Sequence, residues 1–224
     1  EVAASYLPHH QVGGDYNDYI KLNDHEVLFC MADVSGKGIT AALLMSNFQA
    51  NLRAICKYNH SLKEIVSALN SKVMEASKGE MFITLFLAKY NMNDRSLCYI
   101  NAGHHPPILV PGDKNRFSSN GKEDVIWLKT GSTGLGMLSE IPKIKEGNLN
   151  LSPASILICY TDGVVELENS GQQPYGVERL VKLIIENQKL PMEDLNKCID
   201  RELKRHKGRQ PFLDDIALLS CRFY

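Results

Sequence analysis

The chain has 224 residues with a formal net charge of −1, 44% hydrophobic and 23% charged residues, a balance that excludes a disordered or fibrous chain and leaves no electrostatic footprint for nucleic acid. No run of about 18 apolar residues occurs, which excludes a spanning helix. The six cysteines, at 30, 56, 98, 159, 198 and 221, lack CxxC pairing or zinc-like spacing and read as small buried hydrophobes of a reducing, cytoplasmic compartment.

Short apolar segments near 2–7, 16–22 and 26–33, each bounded by Gly, Pro, Asn or Asp, predict three early strands. The period then lengthens. Ile39, Ala42, Leu43, Phe48, Leu52 and Ile55 predict a helix over 38–57, and Ser61 with Glu64 three residues on forms a capping box for another over 61–77. Leu62, Ile65, Val66, Leu69 and Val73 make one apolar stripe on the second helix, and Leu43, Leu52, Ile65 and Leu69 are expected in the core. Strand signals return at 82–90, 97–101, 108–110, 125–128 and 156–160, while the Gly-, Asn-, Ser- and Lys-rich stretch 111–124 reads as a loop excursion. GSTGLGM at 131–137 also reads as a loop, and Trp127 as core. Helices over 176–188 and 191–206 follow, with Pro191 at the first turn of the latter and the basic stretch 204–209 as its solvated end; a strand over 216–222 comes last. Strands, helices, strands, helices and a strand do not alternate as βαβ units would. The order favours an α+β layered architecture and one domain over residues 1–224.

Four aspartates share a setting where an apolar strand meets a turn. Asp15 follows Gly13-Gly14, Asp33 ends the run 27–32 ahead of Val34-Ser35-Gly36-Lys37-Gly38, Asp162 ends 156–161 ahead of Gly163, and Asp214-Asp215 open 216–220. A strand fixes its terminal residue, and an adjacent glycine lets the backbone turn close to a ligand. Oxygen donors of this kind suit magnesium or manganese better than zinc. Two carboxylates about 4 Å apart repel by roughly 4 kcal/mol at an effective dielectric of 20, so their convergence calls for bound cations. Taken singly, any one of these four is more often a turn residue or helix cap than a ligand.

The strings VGGDYND (12–18), ADVSGKG (32–38), MFITLF (81–86), NAGHHPP (101–107), YTDGVVE (160–166) and DDIALL (214–219), read in this order, resemble the bacterial RsbU/SpoIIE-type branch of the PPM family, relatives of protein phosphatase type 2C. The resemblance runs from Val12 to Leu219. It implies an α-β-β-α sandwich of two antiparallel sheets flanked by helices, and a hydrolase for phosphoserine or phosphothreonine on a protein. It further implies two Mn2+ or Mg2+ ions: Asp33 bridges them, Asp162 and Asp214 hold the first, and Asp15 with the carbonyl of Val34 holds the second. Asp33 and Asp162 are thereby the catalytic pair, attack comes from a metal-bridging hydroxide, and Asp18, Gly163 and Asp215 orient the ligands. Ser35 stands where animal relatives carry a histidine, and no arginine precedes Arg53 to match their phosphate-binding one. Water is therefore the default proton donor to the leaving oxygen.

By the same resemblance the substrate is a phosphorylated STAS-like anti-anti-sigma protein, and the chain is the C-terminal output domain of a longer signalling protein with an upstream sensor. The helices over 38–57 and 61–77 match a pair thought to switch. A pseudophosphatase that holds a STAS-type partner without turnover is the alternative reading. Neither nucleic-acid nor membrane contact is expected, and pairing into a homodimer is expected to rest on elements before Glu1. SGKG lacks the first glycine and the Ser/Thr of a P-loop, and adjacent His104 and His105 on a strand point opposite ways, so they are not expected to share one ion.

Overall fold

The computed structural model describes residues 1–9, 12–58, 61–113 and 125–224, so most of the excursion expected over 111–124 lies outside the described residues. In chain order the strands are β1 (Val2–Leu7), β2 (Asp15–Lys21), β3 (Glu26–Val34), β4 (Ile83–Asn91), β5 (Ser96–Ala102), β6 (Ile108–Val110), β7 (Ile126–Trp127), β8 (Gly131–Ser132), β9 (Gly147–Asn150), β10 (Ser155–Tyr160) and β11 (Ile216–Phe223). The helices are α1 (Ile39–Ile55), α2 (Leu62–Ser77), α3 (Asp162–Val165), α4 (Val177–Asn187) and α5 (Met192–Lys207). The α+β reading holds, and the chain divides into two units, residues 10–106 with 128–150 and residues 1–9 with 107–127 and 151–224.

In the unit spanning 10–106 and 128–150, the sheet order among the described residues is β2-β3-β4-β5, and the outer edge of β5 is shared by β9 and β8. Every pairing is antiparallel except β5 with β8, which is parallel at Asn101 and Ala102. Strand alternation sends Leu28, Cys30, Ala32 and Val34 of β3 toward one core, where α1 and α2 cover them with Leu44, Met45, Phe48, Leu52, Ile65 and Leu69. The capping box is present, with the Glu64 N–H donating to Ser61 Oγ and the Ser61 N–H to the Glu64 carboxylate. One expectation fails. Leu43 is 67% exposed and Ile39 74%, because the buried stripe of α1 runs through Ala41, Leu44, Met45, Phe48 and Leu52 and puts those two on the opposite, outward face.

The other unit is an antiparallel sheet of order β1-β11-β10-β6-β7 among the described residues. Ile156, Ile158 and Tyr160 of β10 and Ile216 and Leu218 of β11 pack against Leu180 and Ile184 of α4 and Leu195, Ile199 and Leu203 of α5. Both helices therefore sit on one face. Trp127 is half-buried against this core, Pro191 caps the start of α5, and Lys204, Arg205, His206 and Lys207 fill its last turn before Gly208. The six cysteines are free thiols, four of them buried. Among the described residues no helix is long and apolar enough to cross a membrane.

Candidate functional site

Asp15 and Asp33 are register partners, directly opposite each other on β2 and β3. Tyr16 and Ile20 of β2, like Leu28 to Val34 at even positions of β3, pack into the core under α1 and α2. Alternation then puts both aspartates on the other face of the sheet, where opposed side chains have Cβ atoms about 4.5–5.5 Å apart. The carbonyl oxygen of Val34 lies beside Gly14, 3.4 Å from where a Cβ there would sit, and the Val34 N–H donates to the Gly14 carbonyl at 3.3 Å. The two strands thus bring Asp15, Asp33 and the Val34 backbone to one end of a hairpin.

Asp33 is backed by a polar chain that sequence reading did not assemble. Thr84, its register partner on β4, donates from Oγ1 to the Asp33 carbonyl at 3.5 Å and lies 2.9 Å from Nδ1 of buried His104. The His104 N–H in turn donates to Asn101 Oδ1 at 2.8 Å, and Asn101 Nδ2 donates to the Leu128 carbonyl at 3.0 Å. The NAGHHPP string therefore builds a turn whose histidine braces the strand beside Asp33. Ser35 is occupied as well: its Oγ accepts the Phe82 N–H at 2.9 Å, and its N–H donates to the Phe82 carbonyl.

Asp18 lies three residues from Asp15 and so on the opposite face, under α1. Arg53, in the last turn of α1, reaches it with Nη2 at 2.9 Å from Oδ1 and 2.7 Å from Oδ2, and the Tyr16 hydroxyl donates to the same carboxylate. Burial, then the Asp18 hydrogen bond, pushes the Tyr16 phenol well above its ordinary pKa. Arg53 is thereby a structural partner on the helix side. It does not replace the phosphate-binding arginine of the animal relatives.

In the other unit Asp162 does not end a strand. β10 closes at Tyr160, the Thr161 N–H donates to the Ala217 carbonyl while the Ala217 N–H donates to Thr161 Oγ1, and Asp162 is the first residue of α3, with its carboxylate accepting the Gly163 N–H at 2.8 Å. Gly163 is required by space, since a Cβ there would meet the Asp215 carbonyl oxygen at 2.0 Å and the Asp214 Cβ at 3.4 Å. The start of α3 consequently lies against the 214–215 segment that opens β11. Asp214 Oδ1 accepts the Asp215 N–H at 2.9 Å. Asp215, 7% exposed, takes the His9 N–H at 2.7 Å and the Tyr6 hydroxyl at 3.3 Å, which ties it to the β1 end. Glu166, not singled out from the sequence, brings a carboxylate oxygen within 4.8 Å of one on Asp162. Its signal was the one-turn spacing within YTDGVVE.

Both sets fit hard cations by donor chemistry: carboxylate and carbonyl oxygens, with no thiolate. The Asp162 and Glu166 carboxylates, with oxygens within 4.8 Å of each other, repel, and a cation between them would remove that repulsion.

The fold defines the architectural class. A structure of the PP2C phosphatase domain and a fragment of the regulatory domain of SpoIIE from Bacillus subtilis matches at a TM-score of 0.79 and 17% identity, covering 99% of this chain and 62% of that one. The RsbU and RsbW domains of Rv1364c from Mycobacterium tuberculosis match at a TM-score of 0.80 and 25% identity, covering 99% of this chain and 59% of that one. The architecture is that of PP2C-type phosphatase domains. A family model described as Stage II sporulation protein E (SpoIIE) matches residues 23–224, and the chain belongs to that family. It is 28% identical over 224 residues to the phosphoserine phosphatase RsbU of Bacillus subtilis, with 99% of this chain and 63% of RsbU aligned. The chain spans between 37% and 63% of the three curated relatives that it matches along nearly its whole length.

Proposed function

We propose that this chain is a metal-dependent protein serine/threonine phosphatase domain. The observation that supports it most directly is the in-register pairing of Asp15 with Asp33 at one hairpin end, a placement of like charges that a folded protein keeps for a cation. The residues assigned to holding the cations are Asp15, Asp33, Asp162 and Asp214 with the Val34 carbonyl, and Asp33 and Asp162 carry most of the catalytic weight. Bound Mn2+ or Mg2+ supplies a water of lowered pKa and neutralises charge on the phosphoryl oxygens. The protein's own part is to fix the carboxylates: the β2–β3 ladder for one pair, Gly163 against the Asp215 carbonyl for the other, and the Thr84–His104–Asn101 chain behind Asp33.

The substrate class in this reading is a phosphoserine or phosphothreonine on a STAS-like protein, the chain serving as the output domain of a longer bacterial signalling protein. Similarity to RsbU, named a phosphoserine phosphatase, supports the phosphoserine part of this reading. Hydrolysis of p-nitrophenyl phosphate and of a phosphorylated STAS protein is expected to require manganese, to stop with chelator, and to fall at least about 100-fold in Asp33→Asn and Asp162→Asn. Turnover that survives chelator, or that is equal in both variants and wild type, sinks the proposal.

A further inference from the structure

Asp15 and Asp33 occupy the open end of the β2–β3 hairpin, six residue pairs from the turn at residues 22–25. β2 is an edge strand, laddered only to β3 among the described residues. Carboxylates directly opposite each other destabilise a ladder, and ladders fray first at the end away from their turn. The strand therefore needs a second anchor close to Asp15, and the structure provides one on its other face.

Tyr16 lays its ring edge-on to Phe48 of α1, with centroids 6.2 Å apart, and gives its hydroxyl to Asp18. The Asp18 side chain is only 11% exposed, and Arg53 grips both of its oxygens. We infer that Arg53, Asp18 and Tyr16 form a clamp that pins the open end of β2 to α1 and so sets Asp15 opposite Asp33 before any cation arrives. The pin also closes a loop of linkages: α1 begins just after the turn that follows Asp33, and its far end holds the strand bearing Asp15. Both carboxylates thus belong to one mechanically closed circuit. The inference rests on the metal-dependent reading above and makes Arg53 and Asp18 positioning residues, since neither faces the side of the sheet that carries Asp15.

The test uses the whole chain as wild type, Arg53→Met, Arg53→Lys, Asp18→Asn and, as a control for loss of stability alone, Val66→Ala in the α2 core. Two readouts are needed: manganese binding by titration calorimetry, and amide hydrogen exchange across β2 in the metal-free protein. Arg53→Met and Asp18→Asn are expected to bind manganese about tenfold more weakly and to exchange faster at the Asp15 end of β2. Arg53→Lys, a point charge without the planar fork, falls between them and wild type. Turnover in the clamp variants is expected to recover to within about twofold once manganese is saturating, the split of an affinity effect from a chemical one. Val66→Ala lowers the melting temperature and moves neither readout. Unchanged manganese affinity in Arg53→Met, or equal weakening in Val66→Ala, overturns the clamp. Should Arg53→Met not fold, Arg53→Lys against wild type decides in the same way. If wild type itself binds no manganese, the phosphatase reading fails separately, and the exchange data alone still show whether the pin holds β2.

Discussion

The two units present their carboxylates by different devices. Asp15 and Asp33 are placed by strand register, a repeating geometry in which seven consecutive residue pairs agree. Asp162 and Asp214 are placed by a junction: a one-turn helix starts against a two-residue segment, and the contact is backbone to backbone at Gly163. Register spreads a perturbation over many hydrogen bonds, whereas a backbone contact concentrates it at one atom pair. The first pair of carboxylates is thereby held in a tolerant way and the second in a brittle one.

Gly163→Ala gives the largest expected effect. A Cβ placed 2.0 Å from the Asp215 carbonyl forces main-chain movement, at a cost of about 3 kcal/mol or more. Phosphatase activity is expected to fall with it, as denaturant titration beside a steady-state assay would show. Near-normal stability would mean that the junction yields, and the contrast between the units would collapse.

A smaller effect separates two half-buried carboxylates. Asp18 has its arginine, while Asp200 on α5 has a buried Oδ1 with no hydrogen-bond partner among the described residues. Burial raises the Asp200 pKa, and Lys204 one turn on offsets this only in part. The folded state therefore holds that proton more tightly than the unfolded one. The sign follows: stability is highest below the ordinary aspartate value, declines as pH rises from there through the raised folded value, and is flat above it. Asp200→Asn is expected to stabilise the protein at neutral pH by about 1 kcal/mol, with the gain vanishing near pH 4 in melts run across pH. A destabilised Asp200→Asn protein at neutral pH would show that the carboxylate is solvated or paired after all.

Gly14→Ala is the smallest. Its Cβ would meet only ordinary contacts, the Val34 carbonyl at 3.4 Å and the Ala41 Cβ at 3.5 Å. A change within about 0.5 kcal/mol is expected, with manganese dependence preserved. A loss comparable to that of Gly163→Ala would show that the register half is as brittle as the junction.

Much of this was legible in the sequence because long, periodic elements announce themselves. The capping box, the stripe of α2, the β3 and β4 runs and the apolar β10 all fell within two residues of their observed limits. α1 misled because apolar residues occur on both of its faces: Ile39 and Leu43 lie opposite the buried stripe of Ala41, Leu44, Met45, Phe48 and Leu52, and residue type alone does not choose the side. α3, β8 and β9 were missed for a different reason, since two to four residues carry no period, and the glycines of β8 and β9 argue against strands. The aspartates were found by their place at element ends. Arg53 was not linked to Asp18, because 35 residues separate them and nothing local couples a helix end to an edge strand. Glu166 was overlooked because its spacing to Asp162 matters only once both share a helical turn.

The strand β11 lies between β1 and β10, so the sheet it belongs to joins residues 2–7 to residues 216–223. During synthesis on the ribosome β1 has no strand to pair with in that sheet until residues 216–223 emerge, whereas β2 to β5 with α1 and α2 are complete by residue 102. The strands that place Asp15 and Asp33 are thus available for folding more than a hundred residues before Asp214 is made, and β1 stays unpaired until β11 follows it.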